Sequence, residues 1–165
     1  MKGIVIFGKK YIPFTKGAKA DKVQRKIDKI VSHNTKEEAS RQIKTYLEDL
    51  LFSELNRIYD RIIAENKIDV FGKLDFEIVD IIDKKRQRIA KIKENRISVK
   101  LNAVSLSKGA LKYLIAHEIA HLHTKKHGTK FWRILGSICP DYKEGQKQLM
   151  QSERVLRNPI QLEIA

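Results

Sequence analysis

The stretch that most constrains this chain is LIAHEIAHLHTKKHGTKFW, from Leu114 to Trp132. It holds four of the chain's five histidines, at positions 117, 121, 123 and 127. His117-Glu118-Ile119-Ala120-His121 follows the pattern H-E-x-x-H. On a helix, residues four apart differ by about 40° and lie one turn apart, so both imidazoles can reach one ion at about 2.0–2.1 Å. Glu118 lies about 60° from His121, on the same side, near enough to serve a water in the ion's open position.

The surrounding residues favour a metal cleft over an ordinary amphipathic helix. With Leu111 at 0° on a helical wheel, Leu114, Ile115, Ile119 and Leu122 fall at about 300°, 40°, 80° and 20°, a stripe that should be buried. His117 and His121 fall at about 240° and 280°, on its border. Glu118 falls at about 340°, inside the apolar arc, where a glutamate is almost never placed without a partner. A metal cleft explains the glutamate and the histidines together. His123, about 160° from His121, faces away and is expected at the surface, with a helix-end role as the other reading. His127 lies beyond the expected helix end, beside Gly128, which lets the chain bend back and return a third imidazole. Three neutral imidazoles leave the fourth position of a zinc ion open for water. The metzincin motif shares this spacing but carries a glycine three residues after the second histidine. Thr124 stands there, so that family is not assigned.

The stretch YLIAHEIAHLHTKKHGTKFWRIL, followed by PDY, resembles the SprT-like and YgjP-like (WLM-related) zinc metallopeptidases. In that group the H-E-x-x-H helix is followed by a short loop with the third histidine, then a small residue and an aromatic pair like Phe131-Trp132. The resemblance implies His117, His121 and His127 as Zn2+ ligands and Glu118 as the catalytic residue. It implies an α+β, zincin-like fold, with a long scaffold helix and the H-E-x-x-H helix packed on a small antiparallel sheet. The chain departs in one place: YgjP-like members carry an R-W-G-S-C-like segment before the strand leading into the site. KKRQRIAKIKENRISVKLN stands there instead.

The rest of the chain reads as a scaffold for that site. Residues 3–7 suggest a short strand, and Asp21 onward a short helix with apolar positions 23, 27 and 30. Thr35 and Glu38 have capping-box spacing before a long stripe at 43, 47, 50, 51, 55, 58, 59, 62 and 63. That helix is read as scaffold with no chemistry of its own. Residues 74–82 suggest a strand, and RQRIAKI and RISVKL a basic antiparallel hairpin joined by KEN. Its edge at residues 96–101 is a candidate for receiving an extended peptide. Ser105 or Ser107 caps the motif helix, about Lys108 to His123, and Thr129 caps a further helix ended by Pro140. Phe131, Trp132 and Met150 are expected in the core or at caps, and Cys139 as a buried small hydrophobe. Tyr142 and Lys112 are the candidates by chemistry for steadying an oxyanion. A weaker helix follows, then a loose tail beyond Pro159. The expected division is a basic N-terminal arm over 1–34, the metallopeptidase domain over 35–155 and a tail over 156–165.

Composition narrows the partners. Lys and Arg exceed Asp and Glu by 34 − 20 = 14. Residues 84–100 alone carry eight basic and one acidic side chain. A lysine surplus serves solubility and thermostability, whereas a run this dense also suits a polyanion, nucleic acid first. The lone cysteine excludes an internal disulfide framework and fits a reducing compartment. The apolar run after Gly3 is too short for a signal peptide and no run approaches a spanning helix, so a cytoplasmic protein without membrane contact is expected. The reading is a zinc metalloendopeptidase acting on protein or peptide, with action near nucleic acid through the basic 84–100 segment as a combined reading. The alternative is a basic nucleic-acid-binding protein with a structural or inactive zinc site, for which Cys139 would be a poor fourth ligand.

Overall fold

The computed structural model describes residues 3–15, 20–66, 74–84 and 88–152. Ile4–Ile6 (β1) and Lys9–Tyr11 (β2) form an antiparallel hairpin. Its turn residues, Phe7 at φ 49° and Gly8 at φ 83°, both adopt the left-handed conformation that a tight two-residue hairpin requires. The Phe7 and Gly8 N–H groups donate to the Val104 and Ser105 carbonyls at 2.8 and 3.1 Å. β2 is a strand the sequence hides, because Lys9 and Lys10 break the apolar alternation.

Lys22–His33 (α1) is capped by Asp21, whose carboxylate accepts the Gln24 N–H at 2.8 Å, and buries Ile27 and Ile30. Lys36–Asn66 (α2) starts where Thr35 accepts the Glu38 N–H at 3.3 Å. The expected stripe is its core face: Ile43, Leu47, Leu51, Leu55, Ile58, Tyr59 and Ile62 are all buried. α2 also buries Glu54, which Arg57 grips through two hydrogen bonds of 3.0 and 2.5 Å. Ile4, Ile6, Tyr11, Ile27 and Ile30 belong to the same core cluster as α2 and the motif helix, so residues of the 1–34 segment are built into the core.

The sheet departs from the expected form. Ala90–Lys93 (β4) and Arg96–Lys100 (β5) make the expected antiparallel hairpin, turning at Glu94, whose φ is 55°. Asp75–Val79 (β3) pairs with the other side of β5 in parallel, giving the order β3-β5-β4. The sheet is therefore mixed rather than antiparallel. β5 is antiparallel to β4, to which the tight turn at Glu94 joins it, and parallel to β3, which runs opposite to β4. Both edges of β5 are hydrogen-bonded, so the expected peptide-receiving edge at 96–101 is occupied. Among the described residues the edge left unpaired on that side belongs to β4, the strand that packs against the motif helix.

A 3-10 turn over Leu101–Ser105 leads to Lys108–His121 (α3). Of the two candidate caps, Ser107 is the one used, accepting the Ala110 N–H at 3.2 Å. Thr129–Ile138 (α4) and Tyr142–Gln151 (α5) pack on α3. Gly128 occupies the cap position of α4, not Thr129, and supplies no side-chain cap. Gly145 lets α5 lie against α3, since a Cβ there would meet the Gly109 carbonyl oxygen at 2.8 Å and the Tyr113 Cβ at 2.7 Å. The expected tail beyond Pro159 lies outside the described residues.

Candidate active site

α3 carries the first two histidines and the glutamate. Its buried face is Leu111, Leu114, Ile115 and Ile119, as the wheel places it. Leu122 departs from that stripe and is 37% exposed, because the helix has already ended at His121. The last turn tightens there: the Leu122, His123 and Thr124 N–H groups donate to the Ile119 and Ala120 carbonyls at 3.0 to 3.2 Å. His123 is exposed, as expected from its direction. The chain then turns and brings back His127.

The imidazoles of His117, His121 and His127 converge, with one nitrogen from each within 4.8 Å of the others. Their ring centroids are 4.7, 4.8 and 5.1 Å apart. The Nε2 atoms of His121 and His127 are 3.0 Å apart. Two nitrogens bound to one tetrahedral zinc at about 2.0–2.1 Å would be separated by about 3.3 Å, so the pair fits one ion. The Thr124 carbonyl, 3.2 Å from His121 Nδ1, can only accept. It thereby places a proton on Nδ1 and leaves the Nε2 lone pair facing its neighbours. The His127 pKa is lowered, by burial first and then by the His117 and His121 rings, with Glu118 opposing. The neutral imidazole, the form that binds metal, is favoured.

Glu118 is 8% exposed, and its Oε1 lies 3.5 Å from His117 Nδ1. The buried carboxylate that an amphipathic helix leaves unexplained therefore sits beside the triad. Cys139 is buried and stands outside the ligand group. Burial raises its pKa against the pull of Lys112, so the thiolate that a metal would need is disfavoured.

One site residue was missed from the sequence. Phe131, fully buried, lies against all three imidazoles, with centroids 5.1 Å from His117, 4.9 Å from His121 and 4.6 Å from His127. It is a core residue, as expected, and also the floor of the triad. The available signal was its position four residues after His127, one helical turn along. Trp132 packs edge-on to Phe131 and lies 6.4 Å from His127. Tyr142 packs on Trp132 at 5.7 Å, with no described contact to the histidines. Lys112 likewise has no described contact with the triad.

The chain carries a metallopeptidase domain. Residues 1–152 match the family model for the YgjP-like metallopeptidase domain. The chain belongs to the YgjP-like family, so the absent R-W-G-S-C-like segment does not place it elsewhere. Two archaeal metallopeptidase zymogens of known structure are similar at 22% identity and TM-score 0.47. For abylysin of Pyrococcus abyssi the match covers 69% of this chain and 99% of the other. For jannalysin of Methanocaldococcus jannaschii the shares are 59% and 95%. No curated protein matches this chain. Among the described residues, no helix is long and apolar enough to cross a membrane.

Proposed function

We propose that the chain is a zinc-dependent endopeptidase in which His117, His121 and His127 hold Zn2+ and Glu118 is the general base. The observation that carries this reading is the convergence of three imidazoles beside one buried glutamate. The donor set suits zinc: three neutral nitrogens, no thiolate, and one coordination position left open. When bound, the ion supplies a Lewis acid for the scissile carbonyl and an acidified water.

The protein's own groups do the rest. The Thr124 carbonyl fixes the His121 ring, and Phe131 backs all three imidazoles, so the ligands are set before metal arrives. Glu118, in a largely water-excluded position, takes the proton of the attacking water and returns it to the leaving amine. The substrate lies extended along the free edge of β4, where backbone groups can pair with a peptide of any sequence.

The test separates metal binding from chemistry. His117→Ala should lose bound zinc, measured by metal analysis of the purified protein. His127→Ala should bind zinc at least tenfold more weakly, about what loss of a ligand or its support costs. Unchanged zinc occupancy and affinity in His127→Ala would remove the third ligand and the open-site reading with it.

A further inference from the structure

The turn that delivers the third histidine is strongly basic. Lys125, Lys126, Lys130 and Arg133 are all exposed, and they lie within six residues of His127. No acidic residue occurs between Glu118 and Asp141. Among the described residues no carboxylate forms an ion pair with any of these four, nor with Lys93 on β4. By contrast, Asp83 pairs with both Arg88 and Lys91, at 3.1 and 2.9 Å. At physiological salt, charges beyond about 8 Å are screened, so the chain's overall excess says little about what the cleft selects. What bears on selection is the charge carried by the segment that delivers His127.

We propose that the cleft selects acidic peptides, with glutamates or aspartates flanking the bond to be cut. The inference rests on the peptidase reading above and names its substrate class. On β4, Ala90 is buried, whereas Lys91, already held by Asp83, and the exposed Lys93 lie on the opposite face, so Lys93 is the cation that face offers. A peptide added to the β4 edge would bring every second side chain opposite that face, where unlike charges in cross-strand register are stabilising. The segment around His127 adds a second set of exposed cations. A peptide answers this arrangement better than a nucleic acid, because the free strand edge offers backbone donors and acceptors at the spacing of an extended chain.

The experiment uses the full-length zinc-loaded Glu118→Gln variant, which can bind substrate without cutting it. Three labelled twelve-residue peptides are compared by fluorescence anisotropy: one with alternating Glu, one with Gln at those positions, one with Lys. A single-stranded DNA oligonucleotide is the fourth probe. The Glu peptide should bind about tenfold more tightly than the Gln peptide at low salt, the sum of several exposed ion pairs, and the Lys peptide most weakly. Adding Lys125→Glu and Lys130→Glu should erase that preference. Both positions are exposed, and a glutamate in the first turn of α4 suits the helix dipole, so folding is not at risk. Equal binding of Glu and Gln peptides overturns the proposal, as does no binding of the Glu peptide. DNA binding tighter than the Glu peptide, lost in the same double variant, overturns it in favour of nucleic acid. Hydrolysis by the wild-type protein separates the two claims. Equal cleavage of Glu and Gln peptides leaves the peptidase and removes the selectivity; tight Glu-peptide binding without cleavage does the reverse.

Discussion

Phe131 shows how much of the proposed metal site can rest on an apolar side chain. Two imidazoles on α3 and a third from the segment before α4 must hold their angles to share one ion. A fully buried ring within 4.6 to 5.1 Å of each restricts all three from one side. Phe131→Leu keeps most of the buried volume but not the flat face. It should weaken zinc binding by about tenfold or more while leaving helical content intact, as loss of a supporting contact does at other metal sites. A zinc titration alongside far-ultraviolet circular dichroism checks this, and unchanged affinity would reduce Phe131 to a core filler. Glu118 works in the opposite sense: its burial is costly and makes sense only beside the triad. That is why it was the most informative single residue in the sequence. Phe131 gave no such signal, because an aromatic residue on an apolar helix face is what a core predicts anyway.

The elements differ in how tightly they tie the site to the fold. α3 carries His117, His121 and Glu118, and α5 braces it through the close approach at Gly145. Gly145→Ala places a Cβ against the Gly109 carbonyl and the Tyr113 side chain, whose ring lies 5.9 Å from His117. The substitution should cost about 1–3 kcal/mol, the usual penalty for overpacking, read as a lower melting temperature. In the N-terminal segment, Asp21 caps α1 and joins it to β2. The Lys9 ammonium first, and then the Gln24 N–H, lower its pKa from 3.8 to about 2. Because the folded value lies below the unfolded one, this contribution is complete above 3.8 and is lost as pH falls through about 2. Asp21→Asn should flatten that acid limb in melts recorded between about pH 5 and 2, and an unaltered limb would place the stabilisation elsewhere.

Across the whole molecule, what could be read in advance was what is local. The α2 stripe and the direction of each histidine on α3 follow from a 3.6-residue period, and the structure has them where the period puts them. The end of α3 was read two residues late, since a helix that stops to present His121 looks the same as one that continues. Non-local pairing was not legible. Nothing in residues 75–79 says that they pair with β5 in parallel, and that pairing moves the free edge from β5 to β4. The place of residues 1–34 was equally hidden: a basic segment with two Ile pairs resembles an arm until its partners are known. Removing residues 1–34 takes Ile4, Ile6, Tyr11, Ile27 and Ile30 out of the common core. The shortened chain should lose its cooperative melt, and a normal melt would show that the remainder folds alone.

The central claim is an open three-histidine metal site served by Glu118. It is tested most directly by measuring zinc content and peptide hydrolysis together on purified wild-type and Glu118→Gln protein. The account predicts equal zinc in both, with hydrolysis in the variant lower by about 10²–10⁴-fold, the usual share of a general base. Full hydrolysis by zinc-loaded Glu118→Gln would contradict it.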